Sequence, residues 1–303
     1  MKNRRYLVYD VFTDRALAGN PLAIVLDCEG LDTKAMQAVA REFNLSESVF
    51  VLPPEDSRHR ARLRIFTPDY EMPFAGHPTV GSAVALAELE ENGGSDAIFV
   101  LEENIGPVRC AVRRGQGATF AEFDLAKLPE QLELSADPEA IGAALGLGPH
   151  EIGFENHRVS FFSAGVPYVA IPVANLAAAG RARLDNAAWS ELAPRKSEWA
   201  FASPYIYCRE TVDHASAFHA RMIVPGSPSY EDPATGSAAA AFAGAVMQFD
   251  RPGDGTSRYW IEQGLEMGRP SRIRLELEVE GGRLTAGRIG GQAVKVAEGT
   301  LFA

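Results

Sequence analysis

Cysteine is scarce. The 303 residues hold three, Cys28, Cys110 and Cys208, far apart and never in a C-x-x-C pair, which excludes a disulfide framework and a thiolate zinc site and leaves them as small buried hydrophobes. Long apolar runs are missing too. The longest, from Ala238 to Met247, would span about 15 Å as a helix, half of a bilayer core. The opening MKNRRYLVYDVF carries only a short apolar run broken by Asp10, too polar for a secretory signal, so a cytoplasmic protein is expected. Positive charge is in deficit, with 29 Lys and Arg against 40 Asp and Glu and a net charge of −11. The densest basic group is Lys2, Arg4 and Arg5. Such a surface repels phosphate backbones and anionic lipids, so neither nucleic acid nor a membrane is an expected partner.

Several chemical signatures are also absent. The six histidines, His59, His77, His150, His157, His214 and His219, form no H-E-x-x-H and no close H-x-H pair, so no metal is expected. There is no P-loop and no G-x-S-x-G elbow. Gly93-Gly94, Gly115-Gln116-Gly117, Gly281-Gly282 and Gly290-Gly291 are scattered and fit hairpin turns better than a dinucleotide loop.

What remains is globular: 46% hydrophobic and 23% charged residues, with 28 Gly and 19 Pro for many turns. The length is about twice that of a common domain, so two domains are expected. Strand patterns fall at 6–12, 22–26, 48–52, 62–66, 98–101, 108–112 and 120–123, then at 159–162, 168–171, 205–207, 217–223, 273–279, 284–289 and 293–296. Asp32 is placed to cap a helix running to about Phe43, and Asp137 another through Leu145. Two further helices, Pro78–Leu89 and Pro233–Met247, are small and apolar around nearly the whole circumference, so they should be buried. A helix buried on every side among strands suggests a sheet curled around it, once per half.

An internal repeat fits that picture. His77-Pro78-Thr79-Val80-Gly81-Ser82-Ala83 aligns without gaps to Asp232-Pro233-Ala234-Thr235-Gly236-Ser237-Ala238, an offset of 155. Flanking landmarks follow in order, Arg64–Pro68 with Arg221–Pro225 at 157 and Gly19-Asn20-Pro21 with Gly165-Val166-Pro167 at 146, which makes duplication the better account than chance. The polar, strandless stretch near 125–137 would join the halves.

The repeat places chemistry. A proline suits the start of a helix and the residue before it the cap, so His77 and Asp232 are expected at the mouths of the two buried helices. Free N–H groups and the positive end of the dipole collect there, beside Gly81 or Gly236 and Ser82 or Ser237. Paired in one cleft, two such tips would grip a small carboxylate without lysine or arginine. Singly, each residue reads as an ordinary cap or core histidine. Glu47 opens the apolar strand SVFV; it is either an exposed strand-edge residue or a partly buried carboxylate whose pKa rises toward general-base use. At the matching offset the second half has Ser203-Pro204, no acid, so the chemistry would be asymmetric on a symmetric scaffold.

Five segments together, NLSESVFV at 44–51, FTPDYEMPFAGHPTVGSA at 66–83, EDPATGSAAA at 231–240, the QG..MGRPS stretch at 263–271 and IGGQAVKVAEG at 289–299, resemble the phenazine-biosynthesis PhzF-like isomerases. The resemblance implies an α+β fold of two pseudo-symmetric diaminopimelate-epimerase-like domains, each a curved, mainly antiparallel, barrel-like sheet around a central helix. The first domain would cover 1–128, joined by the C-terminal segment 290–303, and the second 129–289. It implies a homodimer, no metal or organic cofactor, and a small carboxylate substrate. Glu47 falls where the family has the glutamate that moves a proton between carbons of dihydro-hydroxyanthranilic acid. His77 and Asp232 match supporting catalytic residues, while Asn20, Ser46, Gly76, Gly236 and Ser237 match substrate contacts. The related epimerases and racemases use two cysteines where His77 and Asp232 stand here, which disfavours a two-thiol mechanism. A cofactor-independent isomerase is therefore expected; an amino-acid or hydroxy-acid epimerase, and a non-catalytic small-molecule-binding protein, are the alternatives.

Overall fold

A computed structural model of the chain describes residues 2–90, 96–115, 117–195 and 201–303. Gly93-Gly94 and Gln116 lie outside the described residues. The chain divides into two compact units, Met1–Ala126 with Ile289–Ala303, and Lys127–Arg288.

In the first unit β1 (Asn3–Val11) runs antiparallel to β2 (Asn20–Val25), and helix α1 (Thr33–Phe43) leads to β3 (Glu47–Leu52), parallel to β2. Next come β4 (Ala61–Phe66), antiparallel to β3, the short β5 (Glu71–Met72), and helix α2 (Gly76–Glu88). Then β6 (Ala97–Glu103) lies parallel to β4, and β7 (Gly106–Arg113) and β8 (Thr119–Asp124) complete an antiparallel run.

The second unit repeats this wiring. The short β9 (Glu130–Gln131) lies in the stretch expected to lack strand and pairs with β10 (Ser160–Ser163), with α3 (Pro138–Ala144) between them. Antiparallel β10 and β11 (Pro167–Pro172) correspond to β1 and β2. Helices α4 (Leu176–Arg181) and α5 (Asn186–Leu192), which no strong sequence pattern marks, lead to β12 (Ser203–Cys208), parallel to β11. β13 (Phe218–Val224) and β14 (Tyr230–Asp232) follow, then helix α6 (Gly236–Ala245), which widens into a π-turn at Val246–Asp250. β15 (Gly255–Gln263) is parallel to β13, as β6 is to β4, and antiparallel to β16 (Ser271–Glu280).

The last strand, β17 (Arg283–Phe302), begins in the second unit and ends in the first. It pairs with β1 from Asn3↔Phe302 to Val11↔Ala293 and also with β8, closing the first unit's sheet into a barrel. Two strands were expected here, with a turn at Gly290-Gly291. The chain runs straight through because a Cβ on Gly290 would sit 2.6 Å from Phe120 Cζ and 3.0 Å from the Ala121 carbonyl oxygen, so glycine serves close strand approach rather than a turn. Gly281-Gly282 does form the β16–β17 turn, at φ +57° and +71°, with both N–H groups donating to Asp254.

Each sheet packs helix on both faces. Inside the first, residues 76–87 of α2 are all buried against β1, β2, β3, β6, β7 and β8; inside the second, all of α6 is buried against β9, β10, β11 and β16. Outside the first, α1 covers Val25, Phe50 and Phe66 with Met36, Val39 and Ala40, the i, i+3, i+4 stripe that one-sided burial requires, each large side chain contributing roughly 1.5–3 kcal/mol. Asp32 caps α1, accepting from the Ala35 N–H, and Asp137 caps α3. Trp189 of α5 anchors the outer layer of the second unit and donates its indole N–H to the Ala202 carbonyl. All three cysteines are buried. Among the described residues no helix is long and apolar enough to cross a membrane.

Candidate active site

The first turn of α2 carries the chemistry of the first unit. Ala75, at φ −150° and ψ 140°, is its N-cap and makes no side-chain cap bond. His77 is therefore the second helical residue rather than the cap expected from the His-Pro pair. The physical reason is that proline is tolerated anywhere in the first turn, where no intrahelical N–H bond is lost. Gly76 and His77 begin the helix with N–H groups that have no intrahelical acceptor.

Three side chains meet there. Glu47 opens β3 opposite Leu22, with its side chain only 16% exposed. Asn20 opens β2 and is fully buried. Glu47 Oε2 lies 3.5 Å from His77 Nδ1, and the Asn20 amide nitrogen lies 3.2 Å from the same ring nitrogen. An amide NH₂ only donates, so Nδ1 accepts and the ring hydrogen sits on Nε2. That Nε2 is buried and meets no hydrogen-bond partner among the described residues. Burial pulls the imidazole down to about 3, so it stays neutral at working pH. Partial burial and the Glu47 charge raise the phenol of Tyr70, whose ring is half exposed. Ser46 is half-buried in the bend before Glu47.

The second unit builds its helix mouth differently. Asp232 ends β14 opposite Met222, and the N-cap of α6 is Thr235, so Asp232 stands three residues before the cap instead of being it. A polar network holds those residues out of the helix. Thr235 Oγ1 donates to Asp232 Oδ2 across 2.5 Å. Gln263 Nε2 donates to the Asp232 carbonyl at 2.8 Å and to Thr235 Oγ1 at 3.0 Å, and Gln263 Oε1 accepts from the Thr235 N–H at 3.3 Å. Gly264, at φ +76°, closes the arrangement: a Cβ there would come within 2.6 Å of the Pro233 carbonyl oxygen. Gly236 and Ser237 open α6, both buried, and Ser237 Oγ lies 2.8 Å from the Tyr168 hydroxyl.

The two units thus differ where they correspond. β12 sets Ser203 opposite Tyr168 as β3 sets Glu47 opposite Leu22, so a serine occupies the acid's place. Thr235 falls in the repeat and Gln263 in the QG pair, but neither pattern gives them a role, and nothing in the sequence marks Tyr168 beyond its strand. Glu155, His157 and Asp250 come close enough together to hold a cation, but the Arg209 guanidinium donates to Asp250 at 2.6 Å and reaches Glu155 at 3.4 Å and His157 at 3.3 Å, supplying the positive charge itself.

With this geometry in view, the sequence profile of the PhzC-PhzF family, described as phenazine biosynthesis-like protein, matches residues 9–299. The chain belongs to that family. It is 79% identical over 302 residues, the full length of both chains, to an uncharacterized isomerase of Mesorhizobium japonicum. It is 36% identical over 299 residues to the trans-2,3-dihydro-3-hydroxyanthranilate isomerase of Pseudomonas aeruginosa, covering 98% of this chain and 99% of that one. The crystal structure of a PhzF-family phenazine biosynthesis protein from Bacillus anthracis superposes with a TM-score of 0.87 at 29% identity, covering both chains completely. The α+β, epimerase-like fold and the isomerase class read from the PhzF-like motifs hold on these comparisons.

Proposed function

We propose that this PhzF-family isomerase moves a proton between two carbons of a small unsaturated carboxylate, of the dihydro-hydroxyanthranilate kind for which its Pseudomonas relative is named. The observation that carries the reading is a carboxylate, Glu47, 3.5 Å from a histidine ring that burial keeps neutral. In this reading Glu47 takes a proton from a carbon beside the unsaturated system and returns it to another carbon on the same face. His77 does not compete for that proton. Its Nε2–H, with the N–H groups of Gly76 and His77, donates to the negative charge that develops on the substrate. Asn20 fixes the ring's orientation through its contact with Nδ1.

The cysteines support a carboxylate rather than a thiol as the base. Burial pushes the Cys28 and Cys208 thiols up to about 12 and Cys110 well above its ordinary value, so none supplies a thiolate near neutral pH. General acid/base transfer contributes about 10² to 10⁴ in rate, with positioning adding the rest. The test is turnover of trans-2,3-dihydro-3-hydroxyanthranilate in D₂O by the wild type and by Glu47→Gln. The wild type should return part of the substrate's own hydrogen to the new C–H bond, and Glu47→Gln should lose at least about 10²-fold in kcat with an unchanged melting curve. Full activity in Glu47→Gln removes the shuttle.

A further inference from the structure

Glu103, the last residue of β6, is buried and bonds to Thr79 in the first turn of α2. Its surroundings pose a counting problem. Thr79 Oγ1 lies 2.7 Å from Glu103 Oε1 and 2.7 Å from the Ala75 carbonyl oxygen. A hydroxyl has one hydrogen, so it cannot donate to both. An ionised Glu103 and the Ala75 carbonyl would both be acceptors, leaving one short oxygen–oxygen contact without a proton. The chain closes only if Glu103 carries the hydrogen, donating it to Thr79, which in turn donates to Ala75.

The second unit supplies an independent comparison. The parallel registers set Glu102 opposite Arg62 and Glu262 opposite His219, so Glu103 and Gln263 are corresponding residues, one at the end of each strand. Gln263 is an amide, donor and acceptor at once, and it fastens Thr235 at the start of α6. A protonated glutamic acid offers the same pair of functions. The turn after Glu103 grips the same segment: Asn104 donates to Glu71 at 2.9 Å, and the Ile105 N–H donates to the Pro73 carbonyl at 2.9 Å.

We propose that Glu103 is a positioning residue that works as a neutral carboxylic acid, locking the first turn of α2 through Thr79 and thereby holding Gly76 and His77 in place beside Glu47. The catalytic part rests on the reading of Glu47 and His77 given above. Burial raises Glu103 to about 8, against a smaller opposing effect of the Thr79 hydrogen bond. Among the described residues only burial and the Thr79 hydrogen bond act on Glu103, with no cation beside them: Thr79 on α2 does not titrate, the Cys110 thiol on β7 is itself kept neutral by burial, and Arg64 on β4 is taken up by Glu71.

The experiment compares Glu103→Gln, Glu103→Ala and Thr79→Val with the wild type. Glu103→Gln should keep kcat within about threefold, while Glu103→Ala and Thr79→Val lose about 10²-fold with far less change in KM, the scale of a misplacement near 1 Å. Wild-type kcat should fall above about pH 8 as Glu103 ionises, and Glu103→Gln should lack that alkaline fall. Two readouts do not need turnover. The infrared difference between wild type and Glu103→Gln near neutral pH should contain a protonated-carboxyl stretch that shifts in D₂O, and the Gly76 and His77 amides should exchange faster in Glu103→Ala than in Glu103→Gln. Absence of the band overturns the neutral acid. Equal exchange in the two variants, or Glu103→Gln as damaged as Glu103→Ala, overturns the positioning role. If instead the proposed substrate is not turned over while band and exchange behave as expected, the fault lies with the assigned reaction.

Discussion

Glu102 and Glu262 hold the same kind of loop in the same way, one in each unit. Glu102 accepts the backbone N–H groups of Glu55 and Asp56, each at 2.8 Å, and stands 2.9 Å from His59 Nδ1. Glu262 accepts those of Val212 and Asp213 at 2.7 and 2.8 Å and stands 2.9 Å from His219 Nδ1. Duplication therefore reaches down to a single carboxylate that organises the turn entering β4 or β13. The copies have diverged in depth, since the Glu262 side chain is 2% exposed and that of Glu102 14%.

That divergence makes His219 a pH-dependent clamp. It lies 2.9 Å from both Glu262 and Glu266. Burial alone would lower its pKa, but the hydrogen bonds its ring donates to the two carboxylates, with their charge, outweigh burial and raise it from 6.5 to about 9. A histidine raised on folding stabilises fully below its unfolded value and loses that contribution as pH climbs through the folded one. Calorimetric melts should show wild-type stability falling between pH 6.5 and about 9 more steeply than that of His219→Gln. Parallel curves would mean that no imidazolium sits between the carboxylates.

Asn20→Ala removes the donor to His77 Nδ1 and leaves a buried ring nitrogen unsatisfied, at a cost of about 1–3 kcal/mol in urea unfolding. The freed ring no longer presents Nε2–H in one direction, so kcat should fall by about 10-fold or more, since positioning effects operate on sub-ångström displacements. Stability loss with unaltered kcat would leave Asn20 a purely structural residue.

Gly81→Ala tests how tightly α2 fits its sheet. The new methyl would lie 2.6 Å from Leu22 Cδ2 and 2.7 Å from Val11 Cγ2, so overpacking should cost about 1–3 kcal/mol. Adding Leu22→Ala removes one of the two obstructing groups, and a double-mutant cycle should show the penalties to be less than additive. Strict additivity would mean that the helix shifts to accommodate the methyl.

Much of this architecture is legible along the chain. The alternating runs of β1 to β4 and β11 to β13, the capping aspartates Asp32 and Asp137, and the all-round apolar sequences of α2 and α6 follow from rules that operate within a few residues. β15 escaped because GTSRYWIEQ is exposed along its first half and shows no two-residue period there. β17 was divided in two because Gly290-Gly291 looks like a turn until Phe120 is seen against it. Helices α4 and α5 are short, and only their packing around Trp189 distinguishes them from loop.

The candidate site divides along the same line. Glu47, His77, Asn20 and Asp232 stand out in the chain because polar residues beside glycine, proline and buried runs are conspicuous in one dimension. Which of them touch, which ring nitrogen accepts, and whether an acid such as Glu103 keeps its proton depend on partners tens of residues away and on the exclusion of water around them. Hydrogen-bond counting and desolvation are properties of a packed neighbourhood, so only the tertiary structure could decide them.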